Sequence, residues 1–196
     1  MIKKMLFLVL LLSSSLYANT KSYQIAKENS KISFSIVYML MTDVVGNFKD
    51  FSGTFETNTA GTEIKNINVN VKSITVDSSD DRRDFHLRGH EFFFSTKFPD
   101  IKFVSSNPIA LKVGEKIVVP GQLTLRGVKK PLTLFGIFKG KTKDIQGNEN
   151  LVFDLSGELN RKDFGITWNK VMDSGGLLID DKVKINIVVV AKEIKN

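Results

Sequence analysis

The feature of this sequence that most limits its fold is an alternation of apolar and polar residues with a period of two. Because successive side chains of a β-strand point to opposite faces, this period is typical of strands that bury one face. The pattern recurs in the segments 32–38, 51–55, 67–71, 101–103, 109–113, 117–125, 132–138, 151–159 and 183–191. We therefore predict an all-β fold, in which about eight antiparallel strands close into a barrel or pack as a two-sheet sandwich.

One segment is typical of a helix instead. It covers residues 79–94 and contains Asp80 and Asp81, either of which can cap a helix, and Gly89, which can end or kink it. We expect one or two helical turns near residues 80–94, lying over one end of the barrel.

Two further irregularities stand out. The segment 165–182 holds the only tryptophan, Trp168, and is too long for a plain hairpin. Loops of that length are often functional or disordered. The apolar positions also change parity beyond residue 71, which predicts a bulge or bend near Lys72–Ser73.

The amino terminus has the pattern of an export signal. Two lysines are followed by an apolar run over residues 5–12 and by small residues that end at Ala18. We expect residues 1–18 to be a signal peptide that is cleaved near Ala18, and residues 19–196 to form a single domain. The chain contains no cysteine, which excludes disulfides, thiolate metal sites and thiol nucleophiles.

The formal net charge of +7 raises the question of a nucleic-acid partner. The lysines at positions 129–130 and 139–143 stand in or beside turns and alternate with neutral residues, and RNA-binding modules instead interleave aromatic residues with arginine on one sheet face. We therefore expect no nucleic-acid binding. Weak contact with anionic membrane surfaces is left open, and so is a homodimer.

Catalytic and metal-binding patterns are weak. The only histidines, His86 and His90, are four residues apart, but Gly89 lies between them and a firm third ligand is missing. A hydrogen-bonded structural role for His86 is therefore favoured over a metal site. No serine lies in a nucleophile elbow. We expect a protein without catalytic activity, metal or cofactor, and keep as the alternative an enzyme of lipid or quinone metabolism that uses the His86 region.

The aromatic content points to an apolar interior. The chain has 15 phenylalanines, and the alternation directs many of them inward. An eight-stranded barrel is at the size where its interior is either just filled by side chains or wide enough for one small ligand. Gly53, Gly136 and Gly157 lie on apolar faces, where we expect their missing side chains to leave room. A long apolar tunnel of this kind fits a lipid chain.

Several motifs resemble those of one protein family. The run DRRDFHLR at residues 81–88, the phenylalanines at 92–93 and KFPDIKFVS at 97–105 resemble the RDxHLRxxxFF…KFPxIxFxS signature of the YceI-like periplasmic proteins. Further matches are GNFKDFSG at 46–53, GQLTLRGV at 121–128 followed by Lys130-Pro131, and RKDFGI at 161–166. They occur in family order and cover nearly all of the chain after residue 18. The sequence departs from the family at Tyr38, where many members have histidine, and at Leu40, where they have glycine.

The resemblance implies a periplasmic, lipocalin-like antiparallel barrel that holds a lipid in a central apolar channel without a catalytic step. The implied ligand is a polyisoprenoid or another long-chain lipid, such as a fatty acid or a fatty amide. A scaffold without a ligand is the remaining alternative. The residues that we expect to contact the chain of the ligand point inward: Phe34, Ile36, Phe51, Phe55, Phe103, Leu134 and Phe153.

Four further residues are candidates for contact with a polar head group. Tyr38 and Trp168 combine an apolar ring with a hydrogen-bond donor. Arg88 and Arg126 carry the charge to meet a head group as well, although structural pairing at the barrel rim is favoured for both arginines.

Overall fold

The computed structural model describes residues 20–39, 41–172 and 177–195. The predicted signal peptide lies outside these ranges and stays a prediction, and Leu40, one of the two departures from the family motifs, lies outside them as well. In the described ranges no helix is both long and apolar enough to cross a membrane.

The described residues form twelve strands and one α-helix. In chain order they are β1 (Thr20–Ile25), β2 (Lys31–Tyr38), β3 (Thr42–Phe48), β4 (Phe51–Asn58), β5 (Glu63–Lys72), β6 (Val76–Asp77), α1 (Asp81–Arg88), β7 (Asp100–Ser105), β8 (Ile109–Ala110), β9 (Lys116–Leu125), β10 (Val128–Lys143), β11 (Glu149–Asn160) and β12 (Ile179–Glu193). Three short 3-10 turns span Lys27–Asn29, Ser73–Thr75 and Arg161–Phe164.

Eight of these strands form a closed antiparallel barrel. Their order around the barrel is β1-β4-β5-β7-β9-β10-β11-β12, and β12 returns to β1 through the pairs Tyr23↔Glu193 and Ile25↔Ala191. The first part of β12 pairs with β2, which in turn pairs with β3. The prediction of an all-β, lipocalin-like barrel of about eight strands with one short helix is confirmed.

The bend predicted near Lys72–Ser73 is present, but a 3-10 turn makes it rather than a β-bulge. Strand β5 keeps its register with β7 as far as Lys72, and the turn Ser73–Thr75 follows at once. The buried hydroxyl of Ser73 donates hydrogen bonds to the carbonyl oxygens of Phe98 (2.8 Å) and Pro99 (3.2 Å). These bonds hold the turn and direct the chain into β6 and α1.

Helix α1 covers one end of the barrel, as the sequence predicts. Asp80 is its N-cap, and the Asp80 carboxylate accepts a 3.0 Å hydrogen bond from the backbone N–H of Arg83. Gly89 ends the helix. The same end of the barrel carries the β9–β10 turn, where Arg126 donates hydrogen bonds to the carbonyl oxygens of His90 and Phe92. Arg126 therefore has the structural role favoured above, since it ties this turn to the segment after α1.

The expectation that three glycines leave room in the barrel is wrong. A Cβ atom on Gly136 would lie 2.0 Å from the carbonyl oxygen of Asp154, and one on Gly157 would lie 2.8 Å from Cδ2 of Leu134. A Cβ on Gly53 would lie 2.6 Å from Cδ1 of Ile25. Neighbouring atoms already fill the space beside each glycine. These positions allow strands and side chains to approach closely and create no empty volume.

Candidate functional site

A cavity of about 610 Å³ occupies the interior of the barrel. Isoleucine, leucine, valine and phenylalanine side chains from β2, β4, β5, β7, β9, β10, β11 and β12 line it. This volume lies within the range of pockets that bury small-molecule ligands. The interior of this barrel is therefore not filled by its own side chains.

The two ends of the cavity differ in chemistry. One end lies among buried apolar and aromatic side chains, where the Phe55 and Phe153 rings pack edge to face with their centroids 5.8 Å apart. Phe153 also packs against Phe138 at 5.1 Å. The other end, which we call the mouth, lies under α1 and is lined by charged and polar residues: Tyr38, Asp80, Arg82, Arg83, His86, Arg161 and Trp168.

Eight of the eleven candidate ligand contacts line this cavity, and Arg126 is one of the three that do not. The eight that line it are Phe34, Ile36, Tyr38, Phe55, Phe103, Leu134, Phe153 and Trp168. They come from five strands and from the segment after β11. The structure thus brings these eight side chains together around one space. Their contact with a ligand stays a prediction, because it follows from placement alone.

Phe51 and Arg88 do not line the cavity. Phe51 is buried instead in a second apolar cluster with Phe48, Val76 and Leu87. Arg88 donates a 2.8 Å hydrogen bond from Nη2 to the carbonyl oxygen of Val76 and so ties α1 to β6. Its position fits the structural role favoured for it above.

His86 lies at the mouth and is held by neighbours on both sides. Its Nε2 is 2.6 Å from Oε2 of Glu91. Its ring packs edge to face against Phe92 (4.8 Å between centroids) and Trp168 (4.9 Å). This is the hydrogen-bonded role favoured from the sequence. Within the described ranges, no three histidine, cysteine, aspartate or glutamate side chains lie close enough to hold a metal ion.

Arg161 is a mouth residue that the sequence analysis did not single out. It is almost fully buried and follows β11 directly. Its guanidinium donates to the carbonyl oxygens of Ile166 (2.9 Å), Trp168 (2.7 Å) and Asp180 (2.8 Å), and to the carboxylate of Asp181 (3.1 Å). Burial lowers the pKa of Arg161, and the nearby carboxylates of Asp181 and Asp180 oppose that shift. Its only signal in the sequence is its place in the RKDFGI motif.

Two hydrogen-bond donors at the mouth are unused. The hydroxyl of Tyr38 and the indole N–H of Trp168 both belong to half-buried, cavity-lining side chains. Neither group has a hydrogen-bond partner among the described residues. A molecule with one apolar chain and one polar end fits this arrangement, because the chain is surrounded by apolar walls and the polar end meets donors.

Comparisons with known proteins agree with this geometry. The model of the YceI-like domain matches residues 23–191. The chain is 38% identical over 157 residues to the UPF0312 protein plu2095 of Photorhabdus laumondii, which covers 80% of each chain. A solved Campylobacter jejuni YCEI protein superposes with a TM-score of 0.68 at 31% identity, over 82% of this chain and 91% of that one.

A further solved structure shares the fold at lower identity. It is a polyisoprenoid binding domain from Saccharophagus degradans that is implicated in plant cell wall breakdown. It superposes with a TM-score of 0.61 at 15% identity, over 88% of this chain and 98% of that one.

Proposed function

Because this chain belongs to the YceI-like domain family, we propose that it binds a polyisoprenoid or another long-chain lipid, such as a fatty acid or fatty amide. The lipid chain lies in the barrel cavity, and its polar end lies at the mouth beside Tyr38 and Trp168. The protein carries the lipid through the periplasm and releases it chemically unchanged.

The observation that carries this proposal is the apolar cavity of about 610 Å³ inside a closed barrel. Each methylene group that moves from water into such a site contributes about 0.8 kcal/mol, so ten of them contribute roughly 8 kcal/mol. The entropy lost when the lipid chain is ordered and when it associates with the protein offsets part of that free energy. The balance still favours a chain of ten or more carbons over a short polar molecule.

The cavity favours a long apolar chain and accepts either lipid class. The Saccharophagus degradans domain is described as polyisoprenoid binding, and at 15% identity its likeness to this chain concerns the fold alone. A polyisoprenoid and a fatty chain both present a long apolar surface. The walls are made of aliphatic and phenyl groups, which have no hydrogen bonds with which to tell the two apart.

Transport without chemical change is favoured by the arrangement around His86. Its ring is packed between Phe92 and Trp168, and its Nε2 is engaged by Glu91. If the alternative of a lipid or quinone enzyme holds, the lipid recovered from the protein will differ in mass from the lipid supplied, and replacing His86 with alanine will abolish that difference.

Export to the periplasm is supported by the signal pattern of residues 1–18. Fractionation of cells that express the full chain tests it directly. The expected result is a shortened protein, cut near Ala18, in the periplasmic fraction. An uncut protein in the cytoplasm would overturn this part of the proposal.

The experiment for lipid binding is native mass spectrometry of protein purified without detergent, followed by solvent extraction and identification of the released molecule. We expect one lipid per chain, of the same mass as the lipid supplied. A folded protein that carries none and takes up neither isoprenoids nor fatty acids would overturn the proposal and favour the scaffold.

A pair of variants on β12 tests the location. Ile185 lines the cavity, whereas Val188 lies on the outer face of the same strand and is exposed. Ile185→Trp fills cavity space and is expected to lower lipid uptake at least tenfold, and Val188→Trp is expected to leave uptake unchanged. Undiminished uptake by a folded Ile185→Trp protein would show that the lipid binds elsewhere.

A further inference from the structure

Exposed apolar side chains surround the mouth of the cavity. The most exposed are Met41 (88%), Phe85 (80%) and Val171 (66%), and Met39 and Leu177 are exposed as well. Large apolar side chains exposed together are uncommon on monomeric proteins and mark surfaces that meet another apolar phase or partner. We call Met41, Phe85 and Val171 the rim.

Backbone contacts place two of the rim residues, Met41 and Val171, beside one opening. The N–H of Met39 donates a 2.8 Å hydrogen bond to the carbonyl oxygen of Leu178, and the N–H of Leu178 donates one of 2.8 Å to Lys170. Val171 forms an isolated β-bridge with Leu177. The β2–β3 hairpin that carries Met41 therefore lies beside the segment that carries Val171.

Helix α1 completes this arrangement. The His86 ring, one residue beyond Phe85, packs on the ring of Trp168, which is three residues before Val171. Each rim segment also lines the mouth through a neighbouring residue: Tyr38 before the β2–β3 turn, His86 beside Phe85, and Trp168 before Val171. The apolar lining of the cavity is thus continuous with the exposed apolar rim.

The charges beside the rim distinguish a lipid surface from a purely apolar partner. Arg82 and Lys170 are exposed and form no ion pair with the described residues, while Asp181 is paired with Arg161 and Lys162. Arg82 lies three residues before Phe85, on the same side of α1. The exposed carboxylates of Asp43 and Asp81 stand nearby, so the rim carries both signs of charge, as phospholipid head groups do. Cations beside apolar side chains are typical of segments that lie at a bilayer surface.

We propose that the rim docks on a phospholipid bilayer, with Met41, Phe85 and Val171 inserted among the acyl chains and Arg82 and Lys170 at the phosphates. This inference rests on the proposed function, since it says how the lipid reaches the cavity. In the docked state, the lipid chain passes from the bilayer into the barrel along an unbroken apolar path. The lipid chain does not have to enter water, and the free-energy barrier to lipid exchange between bilayer and barrel is lower for that reason.

The experiment compares the wild-type protein with one triple variant and one double variant in a vesicle flotation assay. The vesicles contain phosphatidylethanolamine and phosphatidylglycerol in a 3:1 ratio. In the rim variant, Met41, Phe85 and Val171 are all replaced by serine. The control variant carries Phe135→Ser and Ile145→Ser. Phe135 lies on the barrel wall and is 56% exposed, and Ile145 lies at the far end of the barrel and is 99% exposed. All substitutions are at exposed positions, and circular dichroism checks the fold.

We expect the wild-type and control proteins to float with the vesicles, and the rim variant to lose at least tenfold in bound fraction. The rate of lipid transfer between vesicles should fall with it. Equal flotation of rim variant and wild type would overturn the proposal, as would an equal loss in the control variant. A wild-type protein that does not float would also overturn it and would favour a protein partner at the mouth.

Uptake of a fluorescent fatty acid from vesicle-free solution separates this proposal from the proposed function. The rim variant should take up the probe to the same final occupancy as the wild type, because its cavity is intact. If the wild type takes up the probe but does not float, only the docking proposal fails. If the wild type takes up neither this probe nor a fluorescent isoprenoid, the proposed function fails, whatever the flotation shows.

Discussion

Nη1 of Arg161 donates a 2.7 Å hydrogen bond to the carbonyl oxygen of Trp168. The same nitrogen donates to Ile166 at 2.9 Å, and Nη2 donates to the carboxylate of Asp181. A buried cation thus ties the chain after β11 to the start of β12. The position of the only tryptophan at the mouth depends on it.

Arg161→Met is expected to destabilise the protein by about 3 kcal/mol, because several hydrogen bonds from the charged, buried guanidinium are lost. Carbonyl groups of residues 166, 168 and 180 lose their partner in the variant. The emission of Trp168 should shift toward that of a tryptophan in water. Urea unfolding and tryptophan fluorescence measure the two effects. Lys162→Met is the control, because Lys162 also pairs with Asp181 but is exposed, and exposed pairs contribute about 0–1 kcal/mol. Equal losses in the two variants would contradict this role of Arg161.

Gly46 and Phe34 form a second close pair near the mouth. They are direct partners between β2 and β3, and a Cβ on Gly46 would lie 2.3 Å from Cζ of the Phe34 ring. In Gly46→Ala the ring has to move, and the cavity offers the nearest free space. We expect lipid uptake to fall and stability to drop by about 1 kcal/mol. Adding Phe34→Leu should restore uptake, because a shorter side chain no longer meets the new methyl group. Unchanged uptake in Gly46→Ala would show that the ring stays out of the cavity.

Acid is expected to weaken the N-terminus of α1. The hydrogen bond from the backbone N–H of Arg83 is the main cause that lowers the pKa of Asp80 below its ordinary 3.8. A carboxyl whose folded-state pKa is lowered stabilises the protein above its unfolded pKa, and this contribution is lost as the pH falls through the folded value. Asp80→Asn keeps an N-cap acceptor that does not titrate. Unfolding at pH 7 and pH 3 should therefore show a smaller acid loss for Asp80→Asn than for the wild type. The same loss in both proteins would mean that the cap does not depend on the charge.

Bound lipid should raise the melting temperature. A ligand at one hundred times its dissociation constant stabilises the folded state by about 2.7 kcal/mol. For a domain of this length, each kcal/mol corresponds to about 2–4 °C, so we expect a rise of roughly 5–10 °C. Differential scanning calorimetry with and without the extracted lipid measures it. Ile185→Trp, with its at least tenfold weaker binding, should show about half of that rise or less. A full rise in that variant would argue against the cavity as the binding site.

Period-two alternation was sufficient to predict most of the strands and their inward faces, since the side-chain direction in a strand follows from position alone. It did not predict β1 or β3. The helix and a cap at Asp80 or Asp81 were also predictable, because capping depends on neighbouring residues, and the structure selects Asp80. The limit of this reasoning is seen on β4. Phe51 and Phe55 lie on the same face of that strand, yet only Phe55 lines the cavity, while Phe51 is buried with Leu87 of α1. A local pattern cannot separate the two, because the difference lies in what packs opposite each ring.

By itself, then, the sequence determined most of the strands, the apolar inner face, the short helix and the family to which the chain belongs. Only the tertiary structure decided that the barrel closes through β1 and β12, whose paired residues Tyr23 and Glu193 stand at opposite ends of the chain. It also decided that the interior stays open, that Arg161 is buried, and that exposed apolar side chains meet around one mouth. The physical reason is that a cavity, a buried charge or a surface patch is built by side chains from segments that are distant in the sequence. These side chains become neighbours only when the barrel closes.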